Sequence, residues 1–167
     1  LRGDPLPWLL DKTSPGARYL ALRDVMGLAE DDSELKRARR LAHREGEIAQ
    51  VLDHMQPEGY WVKPGAGYGP KYTSTVWALI LLAQLGADIR QDKRLAQACR
   101  YFLDHSLAAQ GQITMSDSLS PSGTADCVQG NMVWALTEMG YEDPRLERAY
   151  EWMARSLTGE GVTPVNT

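Results

Sequence analysis

The stripe Leu95, Ala98, Cys99, Phe102 and Leu103 recurs 51 residues later as Leu146, Ala149, Tyr150, Met153 and Ala154. Each set falls at i, i+3, i+4, i+7 and i+8, one face of an amphipathic helix. Arg94 and Tyr101 map onto Arg145 and Trp152 at the same offset. A unit repeated at that period constrains the fold strongly, because one helix pair cannot bury its own apolar face and must stack on its neighbours.

The segments preceding these stripes differ in kind. Residues 76–83 are apolar on every side, and 132–136 nearly so. A helix apolar all round must be covered on all sides. One-faced and all-apolar helices in alternation therefore predict two layers, an inner helix followed by an outer one. Both inner segments contain Val-Trp-Ala-Leu, at 76–79 and 133–136. Aligned on Gly86 and Gly140, however, Trp134 falls opposite Ile80, so the tetrapeptide marks inner helices and not a site.

The turns repeat as well. Gly86 and Gly140 suit the left-handed position that ends a helix. Asp92 and Asp143 follow, placed to cap the next helix, and Pro144 suits a first helical position. The N-terminal unit is a looser copy, with 17–26 as inner helix, Gly27 as its stop and 31–33 as the cap region. Leu35 and Ala38 begin its outer stripe, and Gly46 is expected to break the long outer segment 34–55. The expected fold is all-α: one domain over 1–167 with six to seven helices in units of about 15–61, 72–113 and 124–161. The chain stops where a fourth inner helix would begin, which reads as an unfinished array and the N-terminal part of a longer protein.

Outer segments run into Gly-rich loops, first at 56–70, then at 110–123 and 159–164. In the first, Gln56 can bond free backbone groups at a helix end, Gly59 lets the chain reverse, and Trp61 supplies an apolar plate between units. Gln56-Pro57-Glu58-Gly59-Tyr60-Trp61 resembles the QW motif of the squalene–hopene cyclase and protein prenyltransferase superfamily. The loops at 110–113 and 159–162 look like degenerate copies, and 72–79 is similar to the inner-helix start of bacterial repeat proteins of that superfamily. The resemblance covers roughly 15–165 and implies an α/α toroid, here an incomplete ring. It also implies an aromatic-lined cavity for an isoprenoid-like ligand, for which Tyr68, Tyr72, Trp77, Asp126 and Trp134 are the candidates. Filling a core is the simpler role for those aromatics, and the two roles are compatible.

The motifs of the superfamily's chemistry are incomplete. There is no Asp-x-Asp-Asp, which class II cyclases use to hold a protonated carboxyl. Asp31-Asp32-Ser33-Glu34-Leu35 fails the last position of Asp-Asp-x-x-Asp, and Glu30-Asp31-Asp32 reads as helix capping on a solvated turn. Prenyltransferase zinc would want Asp-x-Cys and a later His. Asp126 and Cys127 are adjacent and no His follows, so Cys127 is a weak metal candidate, with burial as a small apolar thiol the preferred role. No cofactor is expected unless further ligands lie outside these residues. His43, His54 and His105 fall on outer helices, with surface or capping roles. The loop 65–69 lacks the strand and the Lys-Ser/Thr ending of a phosphate loop.

Net charge is −4 with cations and anions interspersed, which argues against nucleic acid as a partner. The longest apolar run, 76–83, is far too short to span a bilayer. Two cysteines make no disulfide framework, which favours a cytoplasmic setting. Two functions follow. One is a prenyltransferase or cyclase-like repeat domain binding an apolar ligand. The other is a non-catalytic scaffold that associates with another protein, a C-terminal half or a second copy of itself.

Overall fold

The computed structural model describes residues 3–120 and 123–159. The described residues are mostly helical and contain no strand, only isolated bridges pairing Leu107 with Ile113 and Thr114 with Thr124. The fold is all-α. A short α1 (Leu6–Leu9) precedes α2 (Pro15–Leu20), which runs directly into a π-helical segment over Ala21–Val25. Then come α3 (Ser33–Arg44), α4 (Glu47–Asp53), α5 (Thr75–Gln84), α6 (Lys93–Ser106), α7 (Asp126–Glu138) and α8 (Arg145–Thr158).

Acidic turn residues start α3, α6 and α8. Asp32 accepts the Glu34 and Leu35 amides, Asp92 accepts that of Arg94, and Asp143 accepts that of Arg145. Each relieves donors that have no intrahelical partner. Glycine ends α5 and α7. At Gly86 (φ +74) the Ala87 amide reaches back to Leu82 O, and at Gly140 (φ +79) the Tyr141 amide reaches Leu136 O. Both are six-to-one closures that need a left-handed residue, where a side chain would be strained.

Packing pairs α2 with α3, α5 with α6, and α7 with α8, while α5 also lies against α7 and α4. The core runs through these pairs: Leu35, Ile48 and Leu52, then Leu79 and Leu82 on α5, Leu95, Phe102 and Leu103 on α6, and Met132 and Leu136 on α7.

Three expectations are corrected. The all-apolar α5 and α7 are not covered on every side: Leu81 and Trp134 are exposed, Trp134 at 42%. The neighbours present bury only part of each helix surface. The first inner helix is not a single α-helix over 17–26, because its second half is π-helical. His43 is not a surface group; it is 5% exposed, held between α3 and the Asp88 turn. Of the third Gly-rich loop, only Gly159 lies within the described residues, so its 160–164 stretch falls outside them.

Candidate functional site

The loop between α4 and α5 is built around Trp61. Its ring is 3% exposed and its indole N–H donates to Val51 O of α4 at 2.8 Å. Its backbone amide donates to Thr75 Oγ1, the first residue of α5, at 3.1 Å. Buried Gly59, with its φ of +107, brings the backbone against Gln97 and Tyr101 of α6. Gln56 lies exposed; its backbone closes the turn, accepting from Gly59 N–H and donating to Tyr60 O. The side chain that satisfies this turn is that of Gln97, donating to Pro57 O.

Beyond Trp61 the loop is pinned at several points. Tyr101 OH accepts the Gly65 amide at 2.8 Å, Asp117 accepts that of Ala66 at 2.7 Å, and Ser74 donates to Gly67 O at 2.7 Å. The Trp77 indole donates to Tyr68 O at 2.9 Å. Tyr68 and Tyr72 both lie against Trp77, with ring centroids 5.5 and 5.0 Å away, and Lys71 stands over the Tyr68 ring. Tyr72 is itself 78% exposed, so an aromatic surface faces solvent there.

Between α4 and α5 this arrangement leaves an open groove of about 670 Å³. Its apolar wall is Val51, Trp61, Val62, Tyr72, Leu81 and Leu85. Glu47, Gln50 and His54 of α4 edge it, and none of its described lining residues is Lys or Arg. An apolar groove with a few polar groups at the edge suits the body of an apolar molecule. Its described lining has no lysine or arginine to neutralise a diphosphate.

The sequence candidates divide. Trp61, Tyr72 and Gln56 line the groove, Trp77 packs against both Tyr72 and Tyr68, and Gly59 shapes the loop. Asp126, Cys127 and Trp134 are on α7 and do not line it. Cys127 is exposed, which corrects the expectation of a buried thiol. The buried thiol is Cys99, whose pKa burial pushes up to about 12, leaving it unreactive. Among the described residues no three His, Cys, Asp or Glu side chains converge as a metal cluster.

A second cavity, about 530 Å³, lies where the turns after α5 and α7 meet α2 and α3. The Tyr19 ring sits between Arg23 and Arg39, at 5.5 and 5.6 Å. Arg23 pairs with Asp24, Arg39 with Glu30, and Arg90 with Asp88, so each cation already has an anion. Glu30 is exposed, as expected of a solvated turn, and is also tied to α3 by Arg39. The Asp88 amide donates to His43 Nε2 at 3.0 Å, which obliges Nδ1 to carry the proton it gives to Arg39 O. Burial, ahead of opposing nearby charges, lowers the His43 pKa. This junction is a structural clasp.

Two sets of residues were missed in the sequence. Gln129, buried on α7, accepts the Ile113 amide at 2.6 Å and donates to Gly111 O at 3.0 Å, as Thr75 serves Trp61. Thr75 and Gln129 are equivalent when Gly86 is aligned on Gly140, so that alignment contained the signal. Asp53 and Asp104 are the second set. They receive Arg94 at 3.0 Å and Arg145 at 2.5 Å, and they too are 51 residues apart, each followed by a histidine.

No protein-family model, curated protein or solved structure matches the chain.

Proposed function

We propose that the chain is a helical repeat domain of the prenyltransferase and squalene-cyclase type, its inner and outer helices forming part of an α/α toroid. In this reading the α4–α5 groove holds an isoprenoid-like apolar molecule. The observation that carries it is the wall of Val62, Tyr72 and Leu81, exposed over the buried Trp61 in a groove of about 670 Å³. Tyr72 and Leu81 are exposed apolar groups that the chain holds in place without burying them, an arrangement that suits a ligand. With no lysine or arginine in the described lining, the favoured ligand is an isoprenoid alcohol or amine over the corresponding diphosphate.

Titration of the tryptophan fluorescence with farnesol, farnesylamine and farnesyl diphosphate tests this reading. Saturable binding of the first two, weakened at least tenfold by Tyr72→Ala or Leu81→Arg, is the expected result. Tightest binding of the diphosphate, or no saturable binding at all, overturns it. A second reading, a scaffold that associates with its own kind, is supported by the exposed edge of α8, where Leu157 is 89% exposed.

A further inference from the structure

Glu47 opens α4 and lines the groove between α4 and α5, where it is half-buried. Its Oε2 is sealed from solvent without a hydrogen-bond donor, and among the described residues no cation pairs with the carboxylate. The fold makes room for that oxygen. A Cβ on Gly16 of α2 would stand 2.1 Å from Oε2, so an alanine there would displace the carboxylate. Glycine costs a helix stability relative to alanine, and here it houses a charge with no partner. A sealed acceptor is costly until a donor reaches it. The groove is the open side from which a donor meets this carboxylate.

The rest of the α4 edge offers acceptors and no fixed cation. Gln50, three residues on and exposed, lies on the same helix face and lines the same groove, so its side-chain carbonyl is a second acceptor beside the carboxylate. His54 is two turns from Glu47, about 10 Å along the helix. Its Nδ1 is held by Gln50 O at 2.8 Å. It therefore brings no donor to a ligand head at Glu47. The facing wall is apolar, with Val62, Tyr72 and Leu81 exposed. One end of the groove thus calls for a donor with positive charge, and the remainder for hydrocarbon.

We propose that the groove selects an amphiphilic primary amine, its ammonium against the Glu47 carboxylate and the Gln50 side-chain carbonyl, its tail along Leu81, Val62 and Tyr72. An ammonium supplies three donors and the opposite charge. An alcohol supplies one donor and no charge. A diphosphate or carboxylate head would set like charge against Glu47. Burial of the tail is common to all of these molecules, so the head decides among them. The inference rests on the ligand reading of the groove and names the head group that reading left open between alcohol and amine.

Tryptophan fluorescence titrations of the whole protein with farnesylamine, farnesol and N-acetylfarnesylamine test the head group. They are run at about pH 8, where a primary ammonium keeps its charge, with each ligand below the concentration at which it aggregates. Farnesylamine is expected to bind the wild type at least tenfold more tightly than the alcohol or the neutral amide. Glu47→Gln, folded by its melting curve, should remove that margin. The amide comparison uses the wild type alone and decides the matter even if the variant does not fold. An amine bound no more tightly than the alcohol or the amide, or a margin that survives in Glu47→Gln, overturns the head-group assignment. Saturable farnesol binding that Tyr72→Ala weakens would then leave the groove reading standing. Absence of saturable binding by all three overturns both.

Discussion

The Gln129 side chain spans two units, accepting the Ile113 amide at 2.6 Å and donating to Gly111 O, with Ala149 O of α8 also within reach at 3.3 Å. It is 2% exposed, so no water replaces those partners once the amide is removed. Gln129→Leu should therefore destabilise by about 2–4 kcal/mol, the cost of leaving buried backbone groups unpaired. Thr75→Val removes a single acceptor, that of the Trp61 amide, and should cost about 1–2 kcal/mol. Urea denaturation of both variants checks the order; equal losses would mean that the bonds from Gln129 to Gly111 O and Ala149 O add nothing to stability.

Gly111 and Gly140 are both left-handed, but their surroundings differ. A Cβ on Gly111 would stand 2.1 Å from Arg148 O, whereas one on Gly140 meets nothing within 4 Å. Gly140→Ala should cost about 1–2 kcal/mol, from backbone strain alone. Gly111→Ala adds a clash with backbone that cannot swing aside, for about 2–5 kcal/mol. Thermal melts of the pair separate strain from collision.

His43 makes stability depend on pH. Its folded pKa is lowered from the ordinary 6.5, first by burial, so the folded chain binds a proton less readily than the unfolded chain. Stability is then complete above about pH 6.5 and declines as the pH falls, by at most about 1.4 kcal/mol per pH unit. The hydrogen bond to Arg39 O and the charges of Asp88 and Asp92 oppose the lowering, while the Arg39 guanidinium adds to it. Burial raises the pKa of each of these two carboxyls, but hydrogen bonds from Arg90 and Arg94 outweigh it and leave both lowered. Their stabilisation is lost only below the ordinary carboxylate pKa of 3.8, in a separate window. Denaturation midpoints between pH 5 and 8 should slope for the wild type and flatten for His43→Gln.

Trp61 and Tyr72 share a groove but not a role. Trp61→Ala removes a buried ring and its indole bond to Val51 O, so it should destabilise by about 3–5 kcal/mol. Tyr72→Ala touches an exposed ring and should leave the unfolding free energy within about 0.5 kcal/mol of the wild type while weakening farnesol binding. A large loss of stability in Tyr72→Ala would make that tyrosine a packing residue.

Much of the helix plan was legible in the chain because it rests on local rules. The Asp92 cap, the Gly86 and Gly140 stops and the Leu95 stripe depend on neighbours within a turn or two, which spacing reports. The burial of Trp61 belongs to the same class, since a large aromatic ring at the exit of a helix has few places to go. His43 and Cys127 were misjudged because their burial depends on contacts across the fold: His43 faces a turn 45 residues away. Glu30-Asp31-Asp32 shows both cases, with Asp32 capping its own helix and Glu30 reaching Arg39 on α3. The exposure of Trp134 was not readable from an apolar helix, because composition does not say how many neighbours are present. The groove arises from the gap between α4 and α5, a relationship that periodicity along either helix does not contain.

The arginine joints have one further consequence. Arg94 and Arg145 each grip their own capping aspartate and the aspartate of the helix before, and the two clasps are interchangeable in register. Excising one whole period, residues 88–138, would bring Arg145 opposite Asp53 in place of Arg94. Insertion of a period would add a clasp without disturbing those already made. Such a chain can change length in whole units, by duplication or loss, while the arginine–aspartate pair of each surviving joint stays complementary.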